Sequence, residues 1–376
     1  MAGIYLHIPF CKQACHYCDF HFSTNQEFRN DLVKAMVQEI ELQQHYLEGE
    51  QIETIYFGGG TPSLLTQAEV EELMTAIQTR FSVSKQAEIT LEANPDDLSK
   101  EKLAALKESG INRLSIGIQS FHDTLLTSLN RAHSSKDAMH CVSNARDAGF
   151  SNISIDLIYA LPAETLEMWK EDIEQALALD PEHISCYSLT IEPKTAFGKW
   201  TKQGKLKAPE DEVAAQHLEV LMEALELGGY EHYEVSNFAK PGFYSRHNSS
   251  YWKGAHYLGI GPSAHSYNGM SRHYTVANNH HYLKAMASGV VPVEKEILST
   301  ADKINEYLLT TLRTSWGCDN EKLLATTGYD LLTEQAAYLQ QLVDLQYASI
   351  EDKKITLTRK GKLLADKIAS DLFVIP

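Results

Sequence analysis

Short apolar runs rich in β-branched residues alternate with stretches of helical period along the first 230 residues of this 376-residue chain. "GIYLHI" (3–8) reads as a strand, and a helical stretch follows over 27–46. "IETIYF" (52–57) precedes a helix over 66–80. "AEITLEA" (87–93) precedes "SKEKLAALKESG", where Ser99 can cap the start and Gly110 can end the helix. "NRLSIGIQS" (112–120) precedes a helix around 135–148 that Gly149 closes. "NISIDLI" (152–158) precedes "TLEMWKEDIEQALAL". "HISCYSLT" (183–190) precedes a longer loop and "EDEVAAQHLEVLMEALELGG". Six β-then-α units predict an α/β fold, a parallel sheet with helices outside it. Six units suit an open, incomplete barrel or a doubly wound sheet, and pattern alone does not choose.

In either architecture chemistry gathers at the carboxyl ends of the strands. Those ends hold Cys11, Cys15 and Cys18 after the first strand and "GGGTP" (58–62) after the second. Glu92, Gln119, Asp156 and Tyr187 follow at the next four. Any one of them fits a satisfied core polar group. Polar residues at the same end of successive strands point instead to one shared site.

After Gly229 the pattern breaks. Residues 231–300 are rich in Gly, His, Tyr and Asn and read as ordered loops with short strands, expected to lie across the barrel mouth. Helical patterning returns near Asp302, and "ITLTRKGKLLADKIASDLF" reads as strand, turn and helix. The expected organisation is a barrel over 1–230, a loop-rich linking segment over 231–300 and a winged-helix-like unit over 301–376. A formal net charge of −17 argues against a large nucleic-acid footprint, so that last unit is expected to be structural. No apolar run approaches membrane-spanning length, and the first residues lack the features of a signal peptide. Six cysteines without a secretory signal suit a reducing cytoplasm rather than a disulfide framework.

Three of those cysteines occupy "CKQACHYC" (11–18). Zinc sites use four ligands, commonly two C-x2-C pairs or two cysteines with two histidines. No second C-x2-C exists, although His16 and His21 are near. Three soft thiolates also suit a [4Fe–4S] cluster with one iron left without a protein donor. A small molecule bearing an amine and a carboxylate could chelate that iron. "FGGGTP" would let it approach the backbone and meet N–H groups. Glu92 could hold an amine or ribose hydroxyls, Asp156 ribose hydroxyls, and Tyr17 could stack on a base. The plainer reading of the glycine run is a simple strand-to-helix turn.

C-x3-C-x2-C with an aromatic residue before the last cysteine resembles the signature of the radical S-adenosylmethionine (SAM) superfamily. "IYLHIPFCKQACHYCDF", "YFGGGTPSLL", "LEANPDDL", "RLSIGIQSF", "LNRAH" and "IDLIYALP" narrow the resemblance to one branch. That branch contains oxygen-independent coproporphyrinogen III dehydrogenases and heme chaperones, and the likeness runs over essentially the whole chain. It implies an incomplete (β/α)6 barrel with a [4Fe–4S] cluster on Cys11, Cys15 and Cys18. It implies SAM contacts from Tyr5, Tyr17, Gly59, Gly60, Thr61 and Glu92. Gln119, Arg131 and Asp156 fall where the family binds SAM or a second SAM. The chemistry implied is reductive cleavage of SAM, driven by an electron donor the sequence does not name.

Three features favour the chaperone side of that branch. Phe20 stands two residues after Cys18, where the dehydrogenases resemble one another in a fourth cysteine. The first strand begins near residue 3, without the dehydrogenases' extra N-terminal segment. "HNSSYW" (247–252) matches a motif of the chaperone members. The resemblance thus implies heme as a further ligand and heme-accepting proteins, such as respiratory enzymes, as partners. His247 is the first choice of axial ligand, with His256, His265 and His273 as competitors and Arg246 as a partner for a propionate. Each histidine taken singly fits better a residue that hydrogen-bonds loop backbone. The alternatives are the dehydrogenase and, third, a structural zinc protein.

Overall fold

The computed structural model describes residues 2–375. Its main element is a twelve-stranded sheet: β1 (Ala2–Ile8), β2 (Ile52–Gly59), β3 (Val83–Ala93), β4 (Arg113–Gln119), β5 (Ile153–Tyr159), β6 (His183–Ser188), β7 (Glu231–Glu234), β8 (Asn237–Ala239), β9 (His256–Ile260), β10 (His265–Tyr267), β11 (Ser271–Thr275) and β12 (Val293–Ile297). The order is β12-β11-β10-β9-β1-β2-β3-β4-β5-β6-β8-β7. β1 to β6 pair in parallel, each with the next, as the alternating pattern predicts.

Side-chain caps start several of the helices between the strands, among them the expected one at Ser99. Thr66 and Glu69 form a reciprocal box at the start of Gln67–Arg80, and Ser99 accepts from the Lys102 amide at the start of Lys100–Glu108. A short helix, Asp123–Ser128, precedes the anticipated Ser135–Asp147. It is less than two turns long, too short for periodicity to reveal.

Strand alternation divides the sheet into two unlike faces. Ile4, Leu6, Ile55, Phe57, Leu91, Ile116, Ile155 and Ile184 are buried in one continuous apolar core against the helices. Their chain neighbours Tyr5, Thr54, Tyr56, Thr90, Glu92, Arg113, Ser115, Asp156 and Ser185 point to the other face. Register keeps that polar row in line: Tyr5 pairs with Tyr56, Tyr56 with Thr90, and Thr90 with Arg113.

The segment 231–300 departs from expectation. It is no linker across the mouth; it lengthens the main sheet at both edges. β8 and β7 continue antiparallel beyond β6, while β9 pairs in parallel with β1 and carries β10–β12 outward. These strands are three to five residues long, too short for alternation to register in the sequence. Edge pairing is what stabilises them, since it satisfies backbone groups that β1 and β6 would otherwise leave open. The C-terminal residues have their own core, including Leu308, Leu323, Leu342 and Ile368. It surrounds a small antiparallel sheet of β13 (Cys318–Asp319), β14 (Ala348–Glu351) and β15 (Lys354–Leu357), with β15 in the middle. Arg313 ties this unit to the main sheet through ion pairs to Glu234 (3.0 Å) and Asp366 (2.5 Å).

Candidate functional site

A cavity of about 630 Å3 opens over the polar face at the carboxyl ends of β1–β6. Cys11, Cys15, Tyr17, Cys18, Gly59, Gly60, Thr61, Glu92, Gln119, Arg131 and Asp156 all line it. Eleven residues named from six separate stretches of sequence therefore meet at one place. Tyr5 sits beside the lining: its ring stacks on Tyr56, 6.1 Å between centroids, and its hydroxyl lies 3.2 Å from His7 Nδ1.

All three cluster cysteines are half-buried free thiols. Their loop is held from both sides. The Cys11 amide donates to the Ser23 carbonyl (3.1 Å), and Asn130 Nδ2 donates to the Ala14 carbonyl (2.7 Å). Asn130 adopts φ 58°, a left-handed turn that Asn tolerates better than most residues, so "LNRAH" presents both Asn130 and Arg131 to the loop. Arg131 Nη1 lies 3.5 Å from Cys15 Sγ, and its Nη2 donates to Asn94 Oδ1 and the Gly117 carbonyl (both 2.7 Å). Thr61 Oγ1 donates to Cys11 Sγ at 3.4 Å. Burial pushes the Cys18 thiol up to about 11 and raises that of Cys11, so bare thiols there hold their protons at neutral pH. A metal that binds thiolate would displace those protons.

"GGGTP" is more than a turn. A Cβ on Gly60 would stand 2.7 Å from the Phe10 carbonyl oxygen, so only glycine lets this strand end pass the cysteine loop. The Gly59 amide donates to Glu92 Oε2 (3.2 Å), and the Tyr56 hydroxyl donates to Glu92 Oε1 (2.8 Å). Burial raises the Glu92 carboxyl to about 7, and the Asp156 charge adds to the shift. Burial likewise raises Asp156 to about 6, against hydrogen bonds from Ser185 and Ser115. Gln119 reaches the cavity from a backbone at φ 70°, strained for a non-glycine, where β4 and β5 slip register.

The zinc reading loses its extra donors. His16 Nδ1 bonds the Ser128 carbonyl (2.9 Å), and His21 Nε2 bonds Asn279 Oδ1 (2.8 Å). Three thiols on one loop, with a guanidinium beside Cys15 to offset their charge, fit a [4Fe–4S] cluster on Cys11, Cys15 and Cys18. The glycine backbone, Glu92 and Asp156 then offer polar partners to a small molecule beside it.

"HNSSYW" forms the helix Arg246–Trp252, which packs under the polar face against β1 and β2. His247 is 1% exposed and closed to iron in this geometry. Its Nδ1 bonds Thr54 Oγ1 (2.7 Å) and its Nε2 bonds the Tyr251 hydroxyl (2.8 Å). Burial, with Arg113 nearby, lowers its pKa to about 3. Here the structure overturns the choice of His247 as axial ligand: the motif is a plug beneath the cavity, and only Asn248 of it reaches the lining. Arg246 is no free propionate partner either, because it donates to the Gln86 carbonyl (2.6 Å) and pairs with Glu53 (2.7 Å). His256 pairs with Glu50. Both ring nitrogens of His273 are buried without a partner. His265 is exposed, edge-on to Tyr274 at 4.8 Å, with no hydrogen bond to its ring nitrogens among the described residues.

Asn94, Arg113, Ser115 and Ser185 also line the cavity and went unread in the sequence. The signal was present for Arg113 and Ser115: they alternate with Leu114 and Ile116 in "RLSIGIQ", which puts them on the face of Gln119 rather than in the apolar core.

Residues 5–176 match the Radical SAM superfamily. The whole fold is similar to that of coproporphyrinogen III oxidase (HemN) from Escherichia coli, a radical SAM enzyme, with TM-score 0.85 over 99% of this chain and 90% of that one. At 24% sequence identity this likeness concerns the fold. Sequence similarity is greater to two proteins described as heme chaperone HemW. That of Bacillus subtilis is 38% identical, covering 98% of each chain, and that of Lactococcus lactis is 37% identical, covering 97% of this chain and 95% of the other. The chain belongs to the HemW family within the radical SAM proteins.

Proposed function

We propose that this chain is a heme carrier: it binds heme and releases it to heme-requiring proteins, with a [4Fe–4S] cluster and SAM in the cavity. The observation that carries the reading is similarity to heme chaperones along the full length, coupled to a cavity in which three thiols face Gly59, Gly60, Thr61, Glu92 and Arg131. Cys11, Cys15 and Cys18 would hold the cluster. The Gly59–Gly60–Thr61 backbone would meet a carboxylate, Glu92 an amine or ribose hydroxyls, and Asp156 ribose hydroxyls. Arg131 would balance charge at Cys15, and Tyr17 and Gln119 would shape the walls. When bound, the cluster and SAM supply one-electron reductive chemistry. The polar face orients them, and the helix Arg246–Trp252 shuts the cavity from below. No described helix is long and apolar enough to cross a membrane. We assign the chain to the cytoplasm on its cysteine usage, with an external electron donor.

For the heme iron, His265 is the histidine of 246–273 with accessible, unbonded ring nitrogens. The test is anaerobic reconstitution with iron and sulfide, followed by separate incubations with hemin and with coproporphyrinogen III, SAM and a reductant. Retained heme without decarboxylation is expected. Formation of protoporphyrinogen would overturn the reading in favour of the dehydrogenase.

A further inference from the structure

The segment 193–209 carries five lysines, Lys194, Lys199, Lys202, Lys205 and Lys207, and no aspartate or glutamate, in a chain whose formal net charge is −17. All five are exposed. Lys207 pairs with Glu210 (2.6 Å), and among the described residues the other four make no ion pair. Attraction of a cation to the carbonyl end of a helix accounts for Lys199 and Lys202, which belong to the last turn of the helix Ala196–Lys202. Lys194, Lys205 and Lys207 lie outside that helix.

The helix that presents this patch is fastened to the cysteine loop. The Phe197 amide donates to the His16 carbonyl (3.0 Å), and the His16 ring meets Trp200 edge-on, 4.7 Å between centroids. His16 directly follows Cys15. Phe197 is buried in a small apolar cluster with Leu125, Leu129 and Leu189, and Tyr17 and Trp200 pack against it. Thr195 caps the helix by accepting from the Gly198 amide (3.0 Å). A Cβ on Gly198 would stand 2.1 Å from the Glu192 carbonyl oxygen, so the helix lies tight on the segment that leads into it. The lysines thus sit on an element packed directly against the cysteine loop, with half-buried Trp200 among them.

An acidic protein repels an acidic partner except where its own charge is locally reversed. Electron transfer falls steeply with distance, so a carrier has to seat close to the thiols it serves. We infer that the face bearing Lys194, Lys199, Lys202 and Lys205 docks an acidic one-electron carrier protein, the external donor of the proposed function. The inference deepens that reading and rests on it for the cluster at Cys11, Cys15 and Cys18. The carrier gives up one electron and the cluster gains it; no bond forms or breaks in that step. Exposed lysines around one aromatic ring suit a small, short-lived interface in which charge sets the rate of encounter.

The probe is oxidised flavodoxin, an acidic flavin carrier, titrated into the full-length reconstituted protein by calorimetry, so that binding is read without turnover. Wild type should bind it, with affinity falling about tenfold or more between about 0.05 M and about 0.5 M salt. The triple variant Lys199→Glu, Lys202→Glu, Lys205→Glu should weaken binding at low salt by about tenfold or more, and the same three positions changed to Gln by less. A control reverses three exposed lysines on β3, β12 and β15: Lys85→Glu, Lys295→Glu and Lys354→Glu. It carries the same net charge as the first variant and should bind within about threefold of wild type. Stopped-flow oxidation of reduced flavodoxin should slow in the patch variants alone. Equal weakening in variant and control, binding indifferent to salt, or no binding by wild type overturns the proposal. So does capture of phosphatidylglycerol vesicles or single-stranded RNA by the patch with flavodoxin left unbound. The Gln variant decides where the Glu variant fails to fold. If wild type retains no heme, the heme-carrier reading fails, and the flavodoxin titration still judges the patch.

Discussion

At the carboxyl ends of β1–β6, Cys11, Cys15 and Cys18 are half-buried, two of them touched only by a hydroxyl or a guanidinium at 3.4–3.5 Å. Beneath the same sheet face, His247, His183 and Glu88 are buried, with both ring nitrogens of each histidine and both Glu88 oxygens hydrogen-bonded. Both regions are rich in metal-binding residue types and both carry a recognisable motif. They differ in what the neighbours do. Around the thiols, glycines remove side chains that would crowd the loop. Around His247, Thr54 and Tyr251 are placed to consume its nitrogens. A motif names residues; only packing decides whether their lone pairs are spent. On the cavity wall Arg113 makes no hydrogen bond among the described residues, and the Glu92 and Asp156 carboxyls are its charged neighbours.

The comparison breaks most easily at the thiols. Cys15→Ser is expected to abolish the cluster, with iron content falling from about four per chain to near zero and the broad visible absorbance lost. The fold should persist, because Cys15 is half-buried on a surface loop; far-ultraviolet circular dichroism checks that. At the floor the expected effect is on stability. His247→Ala removes a buried ring and strands Thr54 Oγ1 and the Tyr251 hydroxyl, costing about 2–4 kcal/mol in denaturant unfolding. The heme spectrum should be unchanged, and a lost Soret band at undiminished stability would show the ring to be a ligand after all.

Glu92 gives a third test, through pH. Its folded carboxyl keeps its proton to about pH 7, whereas the unfolded one releases it near 4.5. The folded state therefore binds more protons between those values. Stability of the ligand-free protein should fall as pH rises from about 4.5 to 7 and level off above. Glu92→Gln should remove about 1–3 kcal/mol of that slope, less than the full shift implies because Glu92 keeps contact with the open cavity. Glu39, buried and also raised to about 7, and Asp156 and Asp172, each raised to about 6, leave the remainder. The smallest effect belongs to Phe20, 72% exposed at the rim. Phe20→Cys should shift stability by no more than about 0.5 kcal/mol, and assays with coproporphyrinogen III should still yield no protoporphyrinogen.

Much of this was legible beforehand. The six βα units, the cap at Ser99 and the cysteine loop follow from local pattern, as each is written within a dozen residues. Glu92, Gln119 and Asp156 could be placed at one site because parallel strands share a carboxyl end. Short strands were expected in 231–300, but the pairing of β7–β12 onto the main sheet was hidden, because strands of three to five residues owe their form to the partner they pair with. Arg113 was hidden differently: its alternation was readable, but that it sits beside Glu92 and Asp156 with its Nε unpartnered is a property of everything around it.

The sequence by itself determined the order of strands and helices, the three thiols, the glycine turn and the family. These rest on steric and periodic constraints that act along the chain. Tertiary structure alone decided that "HNSSYW" folds beneath the cavity, that His247 spends both nitrogens on Thr54 and Tyr251, and that Arg113 spends none. Thr54 and His247 are 193 positions apart, and no local pattern reports which distant hydroxyl will reach a nitrogen. Availability of a lone pair or a charge is settled by packing, and packing is a property of the folded chain.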